Sequence, residues 1–380
     1  MKRKIIGLDG LRGIAVILVI MSHAVMWDLF GVTNTTIRTI FSAHAGVSMF
    51  FVLSGFLITL LLLNERNSNG QISIRNFIIR RAIRIFPLYY LSIFFLYVMH
   101  SIGATEIKDC TFLYALTYTV NLEHRNCSYA STSHFWSLSV EEHFYLLWPI
   151  LFFIGPRIAF AIAVAVATAC LYFGTQILPS SENYYPDRWT FPAMLPILIG
   201  CITAFIANSK FISTLLKDKT NSNLLLISII TGLCTPAFLG SEAAWLISAA
   251  SLILYIYHRQ DSMLTKALEF RPLAYIGLIS YGLYVWQGIF TGNGPYRIGT
   301  SFPPELYTGV VLTFIAAPLS YIFFEKPILS LKNKFSWMER SPSEVRQRTM
   351  KESSLADLPH HSANEQMRHR VTPLHPEKQH

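Results

Sequence analysis

The sequence has few charged residues for its length. Only 14% of its 380 residues are Asp, Glu, Lys or Arg, against about 25% in typical soluble domains. Hydrophobic residues make up 52% of the chain and come in long uninterrupted blocks. This balance excludes both an ordinary soluble globular protein and a largely disordered chain, and it predicts a protein that lies in a membrane.

The sequence also lacks a metal-binding pattern, an internal repeat and a nucleic-acid-binding module. Its net charge of +9 lies mainly in "MKRK", "RNFIIRRAIR" and the C-terminal region, next to apolar runs, so we expect no nucleic-acid partner. The five cysteines have no metal-ligand spacing, and we expect no metal. Cys110 and Cys127 fall in one predicted outer segment, where both a disulfide and two free thiols are open alternatives.

The apolar blocks are long enough to cross a bilayer, whose core of about 30 Å needs about 20 residues per helix. The pattern predicts an all-α integral membrane protein, a bundle of about ten transmembrane helices with both termini cytoplasmic. Five predicted spans are "GIAVILVIMSHAVMWDLF", "GVSMFFVLSGFLITLLLL", "IFPLYYLSIFFLYVMHSIG", "FWSLSVEEHFYLLWPILFFIG" and "IAFAIAVAVATACLYFGTQIL"; five more start near Phe191, Leu224, Ala243, Leu273 and Leu306.

A further apolar stretch, "CTFLYALTYTVNL" from Cys110, is too short for an ordinary span. We interpret it as a re-entrant or interfacial segment, with an eleventh span as the alternative. Ten spans place most Lys and Arg on the inner side, and an eleventh would reverse the loops that follow it. The positive-inside rule therefore favours ten.

Two regions differ from the apolar blocks. "NERNSNGQISIRNFIIRRAIR" is predicted to be the longest internal cytoplasmic loop. From Lys332 the apolar runs end, and composition predicts a disordered tail. We therefore expect a transmembrane domain over residues 1–331 and a disordered cytoplasmic tail over 332–380.

Arg12 and His23 are ionisable residues in the first predicted span, where placing such side chains costs free energy. They are eleven positions apart, which is about three helical turns, so both lie on one helix face about 16 Å apart along the axis. An intramembrane ionisable residue is a functional hypothesis by default. The alternatives are an Arg12 that reaches the cytoplasmic surface beside Asp9, and a neutral His23 hydrogen-bonded between helices.

The segment "RRAIRIFP" places Arg80, Arg81 and Arg84 at the start of the third span. On a helix Arg81 and Arg84 are neighbours and can close on one phosphate, which guanidinium groups bind well. Simple topological anchoring and binding of lipid head groups are the alternatives.

The segment "HFWSLSVEEHFYLLWP" is the most polar part of any span. Ser139 and Glu142 have capping-box spacing, which explains Glu142 as a residue at the start of a helix. Glu141 has no such explanation and needs a partner inside the bundle. His143 is one candidate partner, although a position near the outer head groups suits it equally well.

These segments together resemble the membrane-bound acyltransferase-3 family, over roughly Ile6 to Leu329. The family's first-span pattern of Arg, ten residues and His matches Arg12 and His23, and its Arg-x-x-Arg pattern matches Arg81 and Arg84. "GVSMFFVLSGFLIT", "FWSLSVEEHFYLLWP" with Glu141, "ISYGLYVWQ" and "SYIFFEKPIL" resemble later family segments in the same order. The chain departs at Gln287, where many relatives have histidine.

The resemblance implies transfer of an acyl group, usually acetyl, from cytoplasmic acyl-CoA (acetyl-CoA) to a hydroxyl of an extracytoplasmic glycan or lipid-linked glycan, such as a lipopolysaccharide O-antigen or an exopolysaccharide. The expected membrane is the cytoplasmic (inner) membrane of a bacterium. Arg12, Arg80, Arg81 and Arg84 would hold the CoA phosphates. Because no esterase-like domain follows the spans, we expect the chain to act alone or with a separate partner.

His23 is expected near the thioester, either as a general base for the acceptor hydroxyl or as a covalent acyl acceptor. Glu141 is expected to contact and orient His23. A different class of function is transport, in which Arg12, His23 and Glu141 relay protons. The absence of an inverted repeat argues against it.

Overall fold

The structure is a computed structural model, and it describes residues 5–26, 42–173, 183–218, 222–223, 225–229, 231–232, 242–292 and 302–331. Contacts divide the chain into a unit of residues 1–335 and a second unit of residues 336–380. Every described residue belongs to the first unit. The predicted tail, 332–380, lies outside the described residues, as does most of the predicted span from Leu224.

The described residues form helices and turns without any β-strand, which confirms the all-α prediction. Short turns of 3₁₀ helix at Val120–Leu122, Arg125–Cys127 and Pro186–Arg188 join some of the helices. The helices are α1 Leu8–Met26, α2 Ala43–Asn69, α3 Ile74–Ser101, α4 Asp109–Leu116, α5 Ala130–Ser133, α6 Phe135–Ile154, α7 Pro156–Phe173, α8 Thr190–Ala193, α9 Leu195–Ala207, α10 Lys210–Lys217, α11 Glu242–His258, α12 Met263–Leu268, α13 Arg271–Leu278, α14 Ser280–Thr291, α15 Leu306–Ser320 and α16 Lys326–Ser330.

Several of these helices are suited to a membrane. Among the described residues, four helical segments are long and apolar enough to cross a bilayer, namely Ala43–Asn69, Ile74–Ser101, Thr190–Ala207 and Leu306–Ser330. The pair α13 and α14 adds a fifth if it is counted as one span bent by 68°. Many large apolar side chains remain exposed on the helices, such as Phe94, Phe153 and Phe323. Lipid is the solvent that suits such a surface, and the full count of ten spans stays a prediction.

The helices pack closely where small residues face each other. α2 and α9 cross at Gly55 and Gly200. A Cβ atom on Gly55 would lie 1.9 Å from the carbonyl oxygen of Ile197, and one on Gly200 would lie 2.1 Å from that of Val52. Only glycine permits this approach of two backbones, which is typical of helix contacts in membranes.

The arginine-rich segment between the second and third spans is helical except for four residues, and its cytoplasmic position stays a prediction. α2 continues to Asn69, and α3 begins at Ile74. Gly70, with φ of 74°, ends α2 in the left-handed conformation that favours glycine. The Ser73 side chain then caps α3 by accepting a hydrogen bond from the backbone N–H of Asn76. Four residues are therefore enough to connect the two helices.

The segment after Cys110 forms a short helix and a turn. α4 has only eight residues, too few to cross a bilayer. The chain then turns at Tyr118, whose ring stacks on Tyr89 with ring centroids 4.0 Å apart. Tyr89 lies near the middle of α3, and its hydroxyl donates to the carbonyl of Ala115 at 2.7 Å. The segment thus packs against the middle of α3, and its re-entrant or interfacial position stays a prediction.

Candidate functional site

α1 carries the first two predicted site residues on one continuous helix, as the sequence indicates. The guanidinium of Arg12 donates to Asp9 Oδ1 at 3.1 Å, so this predicted neighbour is confirmed. Arg12 is partly exposed, with a quarter of its side-chain surface accessible. Arg12 therefore remains accessible to a ligand despite its partner.

The His23 ring has a defined tautomer. Its Nδ1 lies 2.8 Å from the carbonyl oxygen of Val19. A carbonyl can only accept a hydrogen bond, so Nδ1 carries the hydrogen and the neutral ring has its lone pair on Nε2. The titratable side chain that neighbours His134 is His23, so the two imidazole rings lie near each other. Neither of the two hydrogen-bonds to Glu141, so the described contacts do not include the predicted pair of Glu141 and His23.

A cavity between α1, α2, α3, α6 and α14 brings three of the predicted arginines together. We call it the arginine cavity. Its polar lining consists of Arg12, Ser54, Arg81, Arg84, Ser137, Glu141, Tyr145, Ser280, Tyr281 and Tyr284. The three guanidinium groups influence one another electrostatically. Like charges held this close favour an anionic ligand.

Arg81 and Arg84 are the cations best placed to bind such a ligand. Arg81 packs over the rings of Phe77 and Tyr145, with its Cζ 5.7 and 5.3 Å from their centroids. In the part of the chain that the structure describes, neither Arg81 nor Arg84 forms an ion pair with a carboxylate. Both line the arginine cavity one turn apart on α3, as the Arg-x-x-Arg spacing predicts.

A second cavity adjoins the first and contains a carboxylate that sequence reasoning missed. We call it the Glu325 cavity, and it shares Arg12, Arg84 and Tyr281 with the arginine cavity. Glu325 is 8% exposed and lies in a π-helical turn, Tyr321–Glu325, a feature frequent at functional sites. A carboxylate inside the apolar segment "SYIFFEKPIL" was the available signal.

Glu141 points into the arginine cavity and has a different partner from the one expected. Its Oε1 accepts a hydrogen bond from Ser54 Oγ at 2.6 Å, and Ser54 in turn accepts one from the Tyr145 hydroxyl at 3.1 Å. Its charged neighbours are Arg81 and Arg12. Glu141 therefore lies beside Arg12 and Arg81, two of the arginines expected to hold the CoA phosphates, and no described hydrogen bond joins it to His23.

Glu142 and His143 face a third cavity, on the other side of Arg81 and Tyr145. The capping-box interpretation of Glu142 is wrong, because α6 begins four residues before Ser139 and Ser139 Oγ donates to the carbonyl of Phe135.

Glu142 is buried, and its Oε1 has no hydrogen-bond partner among the described residues. His143 Nδ1 bonds Thr190 Oγ1 at 2.8 Å, so His143 is not the partner of Glu141.

Arg80 does not line the described cavities. It points between α2 and α3, where its NH2 lies 3.2 Å from Glu65 Oε2 in a buried ion pair. The other oxygen of Glu65 accepts the backbone N–H of Ser73 at 2.8 Å. Arg80 thus has a structural partner of its own among the described residues, and its predicted contact with CoA stays a prediction.

The segment predicted to be outer is held by a covalent bond and by a pair of charged groups. Cys110 and Cys127 form a disulfide, which decides the alternative that the sequence left open. Glu123 is 1% exposed, accepts a hydrogen bond from Ser128 at 2.8 Å, and has Arg188 as its charged neighbour. Burial raises the pKa of Glu123 to about 7.

Fold and site together define an all-helical, membrane-type protein with an arginine-lined cavity suited to an anion. The sequence matches the family described as an acyltransferase domain over residues 5–325. The chain belongs to this family, which confirms the resemblance seen in the sequence. No solved structure matches it.

The curated relatives are larger proteins. The chain is 30% identical over 364 residues to YrhL of Bacillus subtilis, named as a candidate peptidoglycan O-acetyltransferase, covering 86% of this chain and 55% of the relative. Peptidoglycan O-acetyltransferase OatA of Listeria monocytogenes is 30% identical, covering 84% and 55%. O-acetyltransferase OatA of Staphylococcus aureus is 31% identical, covering 85% and 57%. The chain thus spans about half the length of the curated relatives it matches.

Proposed function

We propose that this protein is a membrane O-acetyltransferase. It transfers an acetyl group from cytoplasmic acetyl-CoA to a hydroxyl of an extracytoplasmic glycan. The single observation that carries the proposal is the grouping of Arg12, Arg81 and Arg84 in one cavity, below a histidine on the same helix as Arg12. The family and the names of the relatives support the chemistry. Those names also make a peptidoglycan glycan the first acceptor to test.

Arg81, Arg84 and Arg12 bind the phosphates of CoA in this proposal. Arg81 and Arg84 have no ion-pair partner among the described carboxylates, and guanidinium groups bind phosphate with two parallel hydrogen bonds. Glu325 and Asp9 line the adjoining cavity and limit the positive charge there. Glu141 likewise limits the positive charge inside the arginine cavity. We therefore assign Glu141 to the donor site, and Arg80 to the support of α2 and α3.

His23 is the base at the reactive end. α1 places it about 16 Å above Arg12, a distance comparable to the reach of the pantetheine arm. The Val19 carbonyl keeps the hydrogen on Nδ1, so Nε2 can accept the proton of the acceptor hydroxyl. The hydroxyl oxygen forms a bond to the acetyl carbonyl carbon, and the carbon–sulfur bond breaks. The proton passes from Nε2 to the departing thiolate, which leaves as CoA thiol.

The topology of the proposal has ten spans with both termini cytoplasmic, in the inner membrane of a bacterium. Residues 1–331 form the membrane domain, and residues 332–380 form a cytoplasmic tail. This orientation puts the Cys110–Cys127 disulfide on the outer side, where oxidising conditions preserve it. It also puts the Arg12 end of α1 on the side where acetyl-CoA is made.

Membrane vesicles carrying the protein test the proposal. They are incubated with acetyl-CoA and a peptidoglycan-derived disaccharide of N-acetylglucosamine and N-acetylmuramic acid, and release of CoA thiol and acetylated sugar is measured. We expect both products from the wild type and neither from His23→Ala. Acid-quenched protein should carry no acetyl label, because the transfer is direct. Sugar or ion flux without consumption of acetyl-CoA would instead identify a transporter.

A further inference from the structure

Three buried side chains near His23 have polar atoms that no side chain in the described structure satisfies. They are Ser131 on α5, His134 between α5 and α6, and Gln287 on α14, and we call them the outer polar cluster. Their relative exposures are 0%, 9% and 1%. The Oγ of Ser131 and the Nε2 of Gln287 have no hydrogen-bond partner among the described residues. The His134 ring has no side-chain partner there, and a polar backbone group of Val285 lies near it. Native proteins rarely leave such groups unpaired, and each one calls for an explanation.

The cluster is built closely around one helix face. A Cβ atom on Gly288 would lie 2.1 Å from His134 Nδ1, so the His134 ring occupies the space that this glycine leaves open on α14. One turn further, a Cβ atom on Gly292 would lie 2.8 Å from the Cα of Ser131. Gln287 directly precedes Gly288 on the same helix. The three side chains are thus grouped along α14, and their position is set by backbone packing.

The cluster adjoins both the arginine cavity and His23. The hydroxyl of Tyr284, which lines the cavity, donates to the backbone carbonyl of His134 at 3.0 Å. Ser137, also in the cavity lining, lies 2.6 Å from the same hydroxyl. His134 lies close enough to His23 for the two imidazole rings to influence each other. The outer polar cluster therefore lies next to His23, the proposed base, and borders the arginine cavity.

We infer that the outer polar cluster binds the acceptor sugar, with Ser131, His134 and Gln287 hydrogen-bonding its hydroxyl groups beside His23; the inference rests on the proposed function. The groups are an alcohol, an imidazole and a primary amide. They offer both donors and acceptors without a carboxylate or a guanidinium. Sugar hydroxyls also donate and accept, so a neutral, polyhydroxylated ligand matches the cluster, whereas an anion does not. A site built to hydrogen-bond a hydroxyl discriminates strongly against ligands that lack it.

Variants of Gln287 and Ser131 test the inference against a matched control. In vesicles, Gln287→Leu and Ser131→Ala are each expected to raise the KM for the peptidoglycan-derived disaccharide about three- to tenfold. In both variants, the KM for acetyl-CoA, measured from its hydrolysis without an acceptor, should equal the wild-type value. Ser139→Ala removes an equally buried hydroxyl whose hydrogen bond is local, and it should leave both constants unchanged. Equal disaccharide KM values in all three variants would overturn the inference.

A second measurement separates ligand binding from a structural role. Because Nε2 of Gln287 has no partner among the described residues, Gln287→Leu should not lower the Tm of the detergent-solubilised protein. The disaccharide should raise the Tm of the wild type, and Gln287→Leu should lose this shift. A lower Tm with an unchanged disaccharide shift would contradict the inference. This binding test does not use acetyl-CoA, so a wild type that binds the disaccharide but consumes no acetyl-CoA refutes the proposed function alone.

Discussion

The Nδ1 atom of His23 lies 2.8 Å from the carbonyl oxygen of Val19, one turn earlier on α1. A histidine inside a helix usually costs more than it contributes when its solvent is hydrocarbon. Here the local carbonyl satisfies one nitrogen and leaves the basic nitrogen for chemistry. In the proposed mechanism, the helix supplies the orientation that hydrolase triads obtain from a carboxylate.

Removal of this base should abolish transfer without harming donor binding. His23→Ala is expected to lower kcat by about 100- to 10,000-fold, the usual contribution of a general base. The dissociation constant of acetyl-CoA, measured by equilibrium binding, should stay within about twofold of the wild-type value. A twofold change corresponds to less than about 0.5 kcal/mol of binding free energy. His143→Ala is the control, because His143 bonds Thr190 away from α1. Similar rates in the two variants would refute a catalytic role for His23.

The guanidinium of Arg84 should determine affinity for the donor. Arg84→Ala removes a charge-assisted hydrogen bond to phosphate and is expected to raise the KM for acetyl-CoA about 10- to 100-fold. The effect should shrink at high salt, which screens the remaining arginines. Arg271→Ala changes an exposed arginine outside the cavities. An equal rise in KM in that variant would show that surface charge, not the cavity, attracts the donor.

Arg80 should behave differently from its neighbours on α3. Arg80→Ala leaves Glu65 buried without its cation, and such a loss typically costs about 3–5 kcal/mol of stability. We expect a clearly lower Tm by thermal unfolding in detergent, with the KM for acetyl-CoA unchanged in the folded fraction. The double variant Glu65→Leu, Arg80→Met removes both charges and should recover most of the Tm. A raised KM for acetyl-CoA with a wild-type Tm would instead show that Arg80 binds the donor.

Because the pKa of Glu123 is raised, we expect the stability of the protein to depend on pH. Its pKa is raised by burial to about 7 from a usual 4.5. Between these pH values the folded protein binds a proton that the unfolded chain releases, so this group's contribution to stability is full below the lower value and falls as pH rises towards the upper one.

Glu123→Gln isolates this contribution, because the amide keeps an oxygen for the hydrogen bond from Ser128 and never ionises. The Tm difference between Glu123→Gln and the wild type should be more positive at about pH 8 than at about pH 5. Differential scanning fluorimetry at both pH values measures it, and the other titrating groups cancel in the difference. A difference independent of pH would show that the carboxyl keeps an ordinary pKa.

The Cys110–Cys127 disulfide closes a loop with a sequence separation of 17. A loop of this size is worth about 3 kcal/mol through the restricted unfolded chain. Cys127→Ala should therefore lower the Tm under oxidising conditions, and a reductant should lower the wild type to a similar value. Cys201→Ala, at a free buried cysteine, is the control for loss of a thiol. A reductant effect in Cys127→Ala equal to that in the wild type would assign the effect to another cause.

Much of the fold is determined by local sequence. Long apolar runs predicted the helices that carry the described spans, and a fixed rise and turn per residue put Arg12 and His23 on one face of α1. The spacing of Arg81 and Arg84 placed both guanidinium groups in one cavity for the same reason. These predictions succeed because they depend only on helix geometry and on the cost of polar groups in lipid.

Only the tertiary structure decided which residues meet across helices. Arg80 turns to Glu65, Glu141 bonds Ser54 and joins the arginines, and Glu325 enters from a distant segment. The unpaired Nε2 of Gln287 likewise appears only when α14 packs against His134. The physical reason is that a helix fixes the direction of each side chain. Its partner depends on how closely the neighbouring helix approaches, and in this bundle glycine contacts far away in sequence set that distance.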